Sequence, residues 1–188
     1  MRRIGSRGPV EGAGRQKAIP SERLRSAMAT NVASLPITVG VGAFLVRQDK
    51  LLVVRKTYGP AKGQWTIPSG YVEPRESIIQ TIERELKEET NIVGRAGPLL
   101  AVRNRVTDAA NDTFLIFRMA YVSGTPEPDR NEVSEAAFVP LSDLATSKES
   151  AAFTQAIVAK LGRVKGLELD AYRPPADSGE LLAYLLYL

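Results

Sequence analysis

The central part of the chain consists of apolar, β-branched runs separated by short polar turns. The run PITVGVGAFLV, which begins at residue 36, is followed by the turn QDK and by a second apolar run, LLVVRK. Two such runs joined by a short turn predict a β-hairpin. Further strands are predicted at residues 97–105, 113–123 and 135–140, with loops rich in Asn, Asp, Gly and Pro between them.

Two stretches show the helical period instead. Residues 77–90 carry three isoleucines and a leucine at the spacing of an amphipathic helix. A second helix is predicted over residues 150–164, where AFTQAIVAKL spaces its apolar residues in the same way. The C-terminal GELLAYLLYL is apolar nearly all round, so we expect it to be buried, as a helix or a strand.

Positive charge is concentrated at the N-terminus. The 188-residue chain has a formal net charge of +4, and its first 25 residues carry seven basic against two acidic side chains. Because Gly, Ser and Pro separate these arginines, we expect residues 1–34 to be a basic, disordered leader. Its role is open, as is a start at Met28. We expect residues 35–165 to form one domain and 166–188 an extension that packs on it or on a partner subunit.

The sequence contains neither histidine nor cysteine. This excludes disulfides, thiol nucleophiles, Ser-His-Asp triads and zinc sites built on His or Cys. Any bound metal must be held by oxygen, which favours magnesium, manganese or calcium. No apolar run approaches the roughly 18 residues of a spanning helix, and the basic N-terminus lacks the apolar region of a secretory signal. We therefore expect a cytoplasmic protein without a membrane partner.

The first of the two predicted helices carries an unusual cluster of glutamates. Glu85, Glu88 and Glu89 lie at i, i+3 and i+4, so their carboxylates share one face, beside the apolar stripe. Like charges at such spacings destabilise a helix by about 0.2–0.5 kcal/mol per pair. A solvated acidic face is one explanation. The other is a divalent cation held by the three carboxylates, because hard oxygen ligands suit magnesium and manganese.

The stretch GYVEPRESIIQTIERELKEETNI, which contains this cluster, resembles the Nudix box of the Nudix hydrolases. That signature is Gly, five residues, Glu, seven residues, Arg-Glu, an aliphatic residue, any residue, Glu-Glu, any residue, Gly and an aliphatic residue. It falls on Gly70, Glu76, Arg84, Glu85, Leu86, Glu88, Glu89 and Ile92. Asn91 replaces the final Gly, and Asn also enters the left-handed conformation that ends a helix. Including the flanks QWTIPSGYVE and NEVSEAAFVPLSDL, the resemblance covers about residues 36–160.

The resemblance implies a fold, a reaction and a cofactor. The fold is α/β, an α/β/α sandwich with a mixed β-sheet, in which the box forms a loop, a helix and a loop. The reaction is hydrolysis of a nucleoside diphosphate linked to another moiety, such as ADP-ribose or a nucleoside triphosphate, by water activated by Mg²⁺, for which Mn²⁺ can substitute. The implied metal ligands are the Gly70 carbonyl, Glu85, Glu88 and Glu89, and a supporting ion pair joins Glu76 to Arg84.

The residue that accepts the proton of the attacking water is left open between two positions. The predicted catalytic residues are Glu85, Glu89 and Glu132. The general base is either Glu85 in the box or Glu132 in a later loop, for which Glu135 is the neighbouring alternative. A plain surface loop is the other explanation for Glu132.

Candidates for substrate contacts come from the predicted strands. Three arginines there could bind phosphate bidentately or could face solvent as ordinary strand residues: Arg55, Arg103 and Arg105. Trp65 is expected in the core, whereas Tyr58 and Phe114 are candidates for stacking on a nucleobase.

A second function is also compatible with the sequence, that of a regulatory protein that keeps the fold to sense a nucleotide. The intact set of box glutamates favours the enzyme. In either case the expected partner is a small nucleotide whose identity the sequence does not give. Only the basic leader offers a surface to nucleic acid, so we do not expect that partner. A homodimer through a sheet edge or the apolar C-terminus is also open.

Overall fold

The structure, a computed structural model, describes residues 36–172 and 182–188. The expected leader, residues 1–34, and part of the C-terminal extension lie outside the described residues. The strands are β1 (Ile37–Phe44), β2 (Val46–Arg47), β3 (Lys50–Lys56), β4 (Trp65–Thr66), β5 (Ser69–Tyr71), β6 (Val93–Val106), β7 (Asn111–Ser123) and β8 (Val133–Pro140). The helices are α1 (Ile78–Thr90), α2 (Leu141–Thr146) and α3 (Ala152–Leu161).

The strands form two sheets. The first has the order β5-β1-β7-β6, in which β1 and β7 are parallel and the other two pairs are antiparallel, so this sheet is mixed. In the second sheet β3 pairs antiparallel with β2, β4 and β8. The strands predicted at residues 97–105, 113–123 and 135–140 lie within β6, β7 and β8.

The predicted hairpin is present only next to its turn. Gln48 and Asp49 both have positive φ, 48° and 57°, as a two-residue hairpin turn requires. On either side of them, β2 pairs with the start of β3. Most of the first apolar run, however, forms β1, which belongs to the other sheet. The predicted hairpin was therefore wrong for most of its length. A run of apolar residues does not indicate which other strand it will pair with.

Both faces of the mixed sheet are buried. On one face, residues of β1 and β7 such as Val41 and Phe117 pack with Ile82 and Leu86 of α1. Alternate residues of the same strands pack on the other face with Leu144 of α2 and two residues of α3. Because strand side chains alternate between faces, one apolar run supplies both cores. This is the predicted α/β architecture with helices on both sides of a mixed sheet.

Helix α1 begins and ends as the sequence predicts. Ser77 is the N-cap, and its hydroxyl accepts a hydrogen bond from the Gln80 N–H at 3.2 Å while the Gln80 side chain accepts from the Ser77 N–H at 2.9 Å. This reciprocal pair is a capping box. At the other end Asn91 has φ 57°, the left-handed conformation expected of the residue that replaces glycine there. The box residues on α1 are therefore fixed by two strong end signals.

The C-terminal residues 182–188 lie along the segment after α3. The backbone N–H of Leu188 donates to the carbonyl of Glu168 at 3.0 Å, and the Glu168 N–H donates back at 2.9 Å. The Tyr187 ring centroid lies 5.7 Å from that of Phe117. A second aromatic pair, Tyr172 with Tyr184, also has its ring centroids 5.7 Å apart. These residues thus contact the rest of the domain through a single β-bridge and two aromatic pairs, rather than as a regular helix or strand. Because Leu182, Tyr184 and Leu188 are exposed, the expected burial of this segment was wrong. None of the helices in the described ranges is long and apolar enough to cross a membrane.

Candidate active site around the box helix

Strand β5 lies against helix α1 at Gly70. A Cβ atom built on Gly70 would collide with the carboxylate of Glu85, so only glycine allows the strand and this side chain to lie so close together. The glycine that opens the box therefore leaves room for the carboxylate of a side chain fifteen positions later. This contact brings the backbone of β5 to the implied metal ligand.

Glu89 is the most deeply buried of the box glutamates, with 2% of its surface exposed. Its carboxylate accepts hydrogen bonds from the Lys56 ammonium and, at 2.9 Å, from the Ser69 backbone N–H. Lys56 also donates to the Ser69 carbonyl at 2.7 Å. Burial raises the pKa of Glu89 to about 7, although Lys56 and the Ser69 N–H act in the opposite direction. One carboxylate thus ties α1 to β3 and β5.

Arg84 balances the remaining carboxylates of the box. Its Nε and Nη2 donate to the two oxygens of Glu76 at 2.9 and 3.0 Å, and its Nη1 donates to both Glu85 and Glu88 at 2.9 Å. These bonds from Arg84 lower the pKa of Glu76. The pKa of Glu85 is raised by burial, against the effect of Arg84. The structure therefore contains the pairing of Glu76 with Arg84 and extends it to two implied metal ligands.

The implied metal ligands face two different cations of the protein. Glu85 and Glu88 contact Arg84, whereas Glu89 contacts Lys56. Within the described ranges, no three acidic side chains lie close enough together to hold a metal ion. The chemistry of the donors nevertheless fits a hard divalent cation, because Glu85 and Glu89 are carboxylates whose ionisation burial opposes. A cation held by Glu85, Glu88 and Glu89 would share these carboxylates with Arg84 and Lys56 or displace them.

Glu132 lies in the loop before β8, beside β3. Its carboxylate accepts a hydrogen bond from the Tyr58 hydroxyl at 2.9 Å, and its carbonyl accepts from the Thr57 N–H at 2.9 Å. The Asp129 side chain accepts from three successive backbone N–H groups, including that of Glu132 at 3.1 Å, which fixes the loop. Glu132 is exposed to solvent, but its carboxylate and its backbone are both held by hydrogen bonds.

Tyr58 connects Glu132 to the box. Its pKa is raised to about 12 by burial, by the hydrogen bond to Glu132 and by the negative charges of Glu132, Glu89 and Glu85. The hydroxyl of Tyr58 thus lies within the field of three carboxylates from two parts of the chain. The alternative, Glu135, instead pairs with Arg55 at 3.3 Å.

Of the three arginines predicted to contact substrate, Arg55 has its guanidinium engaged elsewhere. It donates to the Gly63 carbonyl at 2.7 Å and to Glu149 at 2.5 Å, and it lies 4.2 Å from the centroid of the Trp65 ring. It is not among the residues that line the cavity beside the box. The structure gives Arg55 a packing role because strand pairing places it beside Trp65, where it also contacts Glu149.

A cavity of about 350 Å³ opens beside the box. Lys56, Tyr58, Ser69 and Gly70 line it next to α1, and Arg103, Arg105, Asp112, Phe114 and Phe153 line it elsewhere. Its volume falls in the range of small-molecule sites. The sequence did not single out Lys56, Ser69 or Asp112. Lys56 closes an apolar strand, and its burial depends on a partner 33 positions away.

The chain is similar in sequence to a known domain family and to several characterised proteins. The sequence model of the NUDIX domain matches residues 36–161. The chain is 30% identical over 108 residues to the 8-oxo-dGDP phosphatase NUDT18 of Homo sapiens, covering 57% of this chain and 33% of that protein. It is 33% identical over 64 residues to an ADP-ribose pyrophosphatase of Methanocaldococcus jannaschii, covering 34% of this chain and 38% of that one. The matched segments thus span little more than a third of these relatives.

Solved structures show the same fold. The MutT protein from Methanosarcina mazei Go1 is similar with a TM-score of 0.60 and 22% identity, covering 69% of this chain and 96% of that one. The NUDIX domain of Shewanella oneidensis NrtR, solved in complex with ADP ribose, gives a TM-score of 0.53 and 20% identity, covering 71% and 90%. These likenesses confirm the predicted α/β fold.

Substitution of Gly70 tests the packing of β5 on α1. We expect Gly70→Ala to lower the free energy of unfolding by about 1–3 kcal/mol, because the added methyl group must displace Glu85 or the strand. Gly162→Ala is the matched control, since its Cβ would meet nothing within 4 Å. Urea denaturation measures both variants. Equal stability of Gly70→Ala and wild type would contradict the close approach.

Titration of Glu89 predicts a pH dependence of stability in the metal-free protein. Its pKa rises from an ordinary 4.5 to about 7 on folding, so the folded state binds the extra proton between these values. The stability that this proton contributes is full below pH 4.5 and is lost as the pH rises through 7. Relative to Glu89→Gln, wild type should therefore lose free energy of unfolding across this window in the presence of EDTA. Parallel pH profiles of the two proteins would contradict the prediction.

Proposed function

Because the chain belongs to the NUDIX domain family, we propose that it hydrolyses a diphosphate bond in a nucleoside diphosphate linked to another moiety. The observation that carries this proposal is the complete set of box glutamates on α1, of which Glu85 and Glu89 contact β5 beside a cavity of small-molecule size. In a solvated acidic surface Glu89 would not be buried, and the Glu85 carboxylate would not lie against Gly70.

The proposed cofactor is Mg²⁺, with Mn²⁺ able to substitute, held by Glu85, Glu88, Glu89 and the Gly70 carbonyl. When bound, the cation neutralises phosphate charge and activates water. In its absence Arg84 and Lys56 occupy the carboxylates. Lys56 also lines the cavity, so on release from Glu89 its ammonium is available to a phosphate oxygen.

For the general base we favour Glu132 over Glu85. The Tyr58 hydroxyl donates to one carboxylate oxygen of Glu132 and leaves the other able to accept a proton. Glu85, by contrast, is committed to Arg84 and to the proposed metal. Tyr58 lines the cavity, so a base held by it lies at the border of the substrate site.

The substrate class follows from what the relatives share. Proteins named for 8-oxo-dGDP and for ADP-ribose both match this chain, and both of these compounds contain a diphosphate linked to a nucleoside. We therefore propose a small nucleoside diphosphate derivative as substrate.

A nucleotide sensor is the second candidate, and one observation favours it. Arg84 and Lys56 already compensate the box carboxylates, and no ready-made metal group exists in the described part of the chain. A binding protein of this fold would need no cation. The NrtR domain in complex with ADP ribose is a solved example of the fold with a bound nucleotide.

Turnover assays with box variants separate the two candidates. We expect release of phosphate or nucleoside monophosphate from a panel of nucleotides with Mg²⁺, and its loss in EDTA. Glu85→Gln should lose at least about 100-fold in kcat/KM, because it removes a metal ligand. Glu83→Gln on the same helix is the control, since its bond to the Ala96 N–H can persist. No turnover of any nucleotide, with ligand binding unchanged in Glu85→Gln, would favour the sensor.

A double-mutant cycle tests the role of Tyr58. If its hydroxyl acts by positioning Glu132, Tyr58→Phe should lower kcat with little change in KM, losing part of the roughly 10²–10⁴-fold that a general base supplies. In the Glu132→Gln background the same substitution should cause no further loss. Additive losses in the double variant would show that Tyr58 acts independently of Glu132.

A further inference from the structure

One row of paired residues crosses the mixed sheet from the box to its far edge. Tyr71 of β5 pairs with Gly40 of β1, Gly40 pairs with Phe114 of β7, and Phe114 pairs with Arg103 of β6. Directly paired residues point to the same face of a sheet. Neighbouring strands lie about 4.8 Å apart, so Arg103 lies about 14 Å across the sheet from Tyr71. All four residues line the cavity.

The far end of this row is flat and aromatic. A Cβ on Gly40 would lie 2.8 Å from the Phe114 ring, so glycine lets that ring lean over β1. The Arg103 guanidinium carbon lies 5.0 Å from the Phe114 centroid and 5.4 Å from that of Phe153. Both rings attract the cation and hold its plane in place.

The charge of Arg103 is already neutralised. Asp112, which is 4% exposed, accepts hydrogen bonds from Arg103 and, at 2.9 Å, from the Thr38 hydroxyl. A phosphate site would keep its positive charge available. Arg103 is instead paired with a buried carboxylate, so together they present a neutral, planar group with hydrogen-bonding capacity.

That capacity is not fully used by the protein. The Nε of Arg103 is buried and has no hydrogen-bond partner among the described residues. A buried donor without an acceptor destabilises the protein unless a water molecule or a ligand supplies the acceptor. Asp112 also lines the cavity and offers carboxylate lone pairs to a ligand N–H.

We propose that Arg103 and Asp112 bind the nucleobase of the ligand while its diphosphate lies at the box. This deepens the proposed function and depends on it for the placement of the diphosphate. A nucleobase is flat and neutral and carries acceptors beside N–H donors at its edge, which matches each property of this end of the cavity. The distance across the sheet also requires a ligand that extends well beyond its diphosphate.

Binding without turnover tests this assignment. The probes are the α,β-methylene analogues of ADP and GDP, and methylenediphosphonate, which has no base, each titrated by calorimetry with Mg²⁺ up to millimolar concentration. Arg103→Gln should weaken binding of the nucleotide analogues about 10- to 100-fold and that of methylenediphosphonate at least tenfold less. Arg103→Lys keeps the charge beside Asp112, and hence the fold, but loses the planar donor, so it should show the same selective loss.

Arg95→Gln, on the same strand but outside the cavity, is the control and should bind every probe as wild type does. Equal losses for the nucleotide analogues and methylenediphosphonate would overturn the proposal in favour of a phosphate contact. Unchanged nucleotide binding in Arg103→Lys, with its fold verified by thermal unfolding, would also overturn it and leave the ion pair a packing feature. Because no probe is hydrolysed, a catalytically inactive chain gives the same test.

Discussion

The site depends on the burial of one carboxylate, that of Glu89. Its two oxygens contact the Lys56 ammonium and the Ser69 N–H, and so join α1 to β3 and β5. These two strands belong to different sheets, so one side chain fixes the helix against both. Burial of a carboxylate is costly unless its hydrogen bonds are satisfied, and Glu89 meets that condition. Burial nevertheless raises the pKa of Glu89, so part of the desolvation cost of its charge is not offset.

The same electrostatic balance explains why so many glutamates can share one helix. Arg84 contacts Glu76, Glu85 and Glu88 at once, for which a planar guanidinium with five donors is better suited than an ammonium with three. These bonds neutralise part of the negative charge of the box. In the proposed mechanism a divalent cation binds Glu85, Glu88 and Glu89 and competes with Lys56 for Glu89. Metal binding would then free Lys56, which lines the cavity, to contact a substrate phosphate.

Local sequence patterns were sufficient to predict the box helix. Its apolar period and the left-handed Asn91 were predicted from residues in the helix or next to it, and the structure adds the Ser77 cap. The α/β class and the family were likewise predictable, because the spacing of the box is itself local. The roles of the site residues remain predictions, although the structure brings Glu85, Glu89 and Tyr58 together and shows the contact of Arg84 with Glu76.

The sequence did not indicate which strands and side chains far apart in the chain would contact each other. Whether β1 pairs with β3 or with β7 is decided by the whole sheet, so the hairpin was overextended. Arg55 and Arg103 are similar strand arginines in the sequence, yet one packs on Trp65 and the other lines the cavity. The pairing of Lys56 with Glu89 joins residues 33 positions apart, and no short pattern signals it.

The most direct measurement is manganese paramagnetic resonance with a nucleotide present. We predict one bound Mn²⁺ per chain in wild type and a clear loss of affinity in Glu88→Gln. This substitution lies on the exposed side of α1 and leaves the buried pair of Glu89 and Lys56 intact. Absence of bound Mn²⁺ in wild type, or undiminished binding in Glu88→Gln, would contradict this prediction.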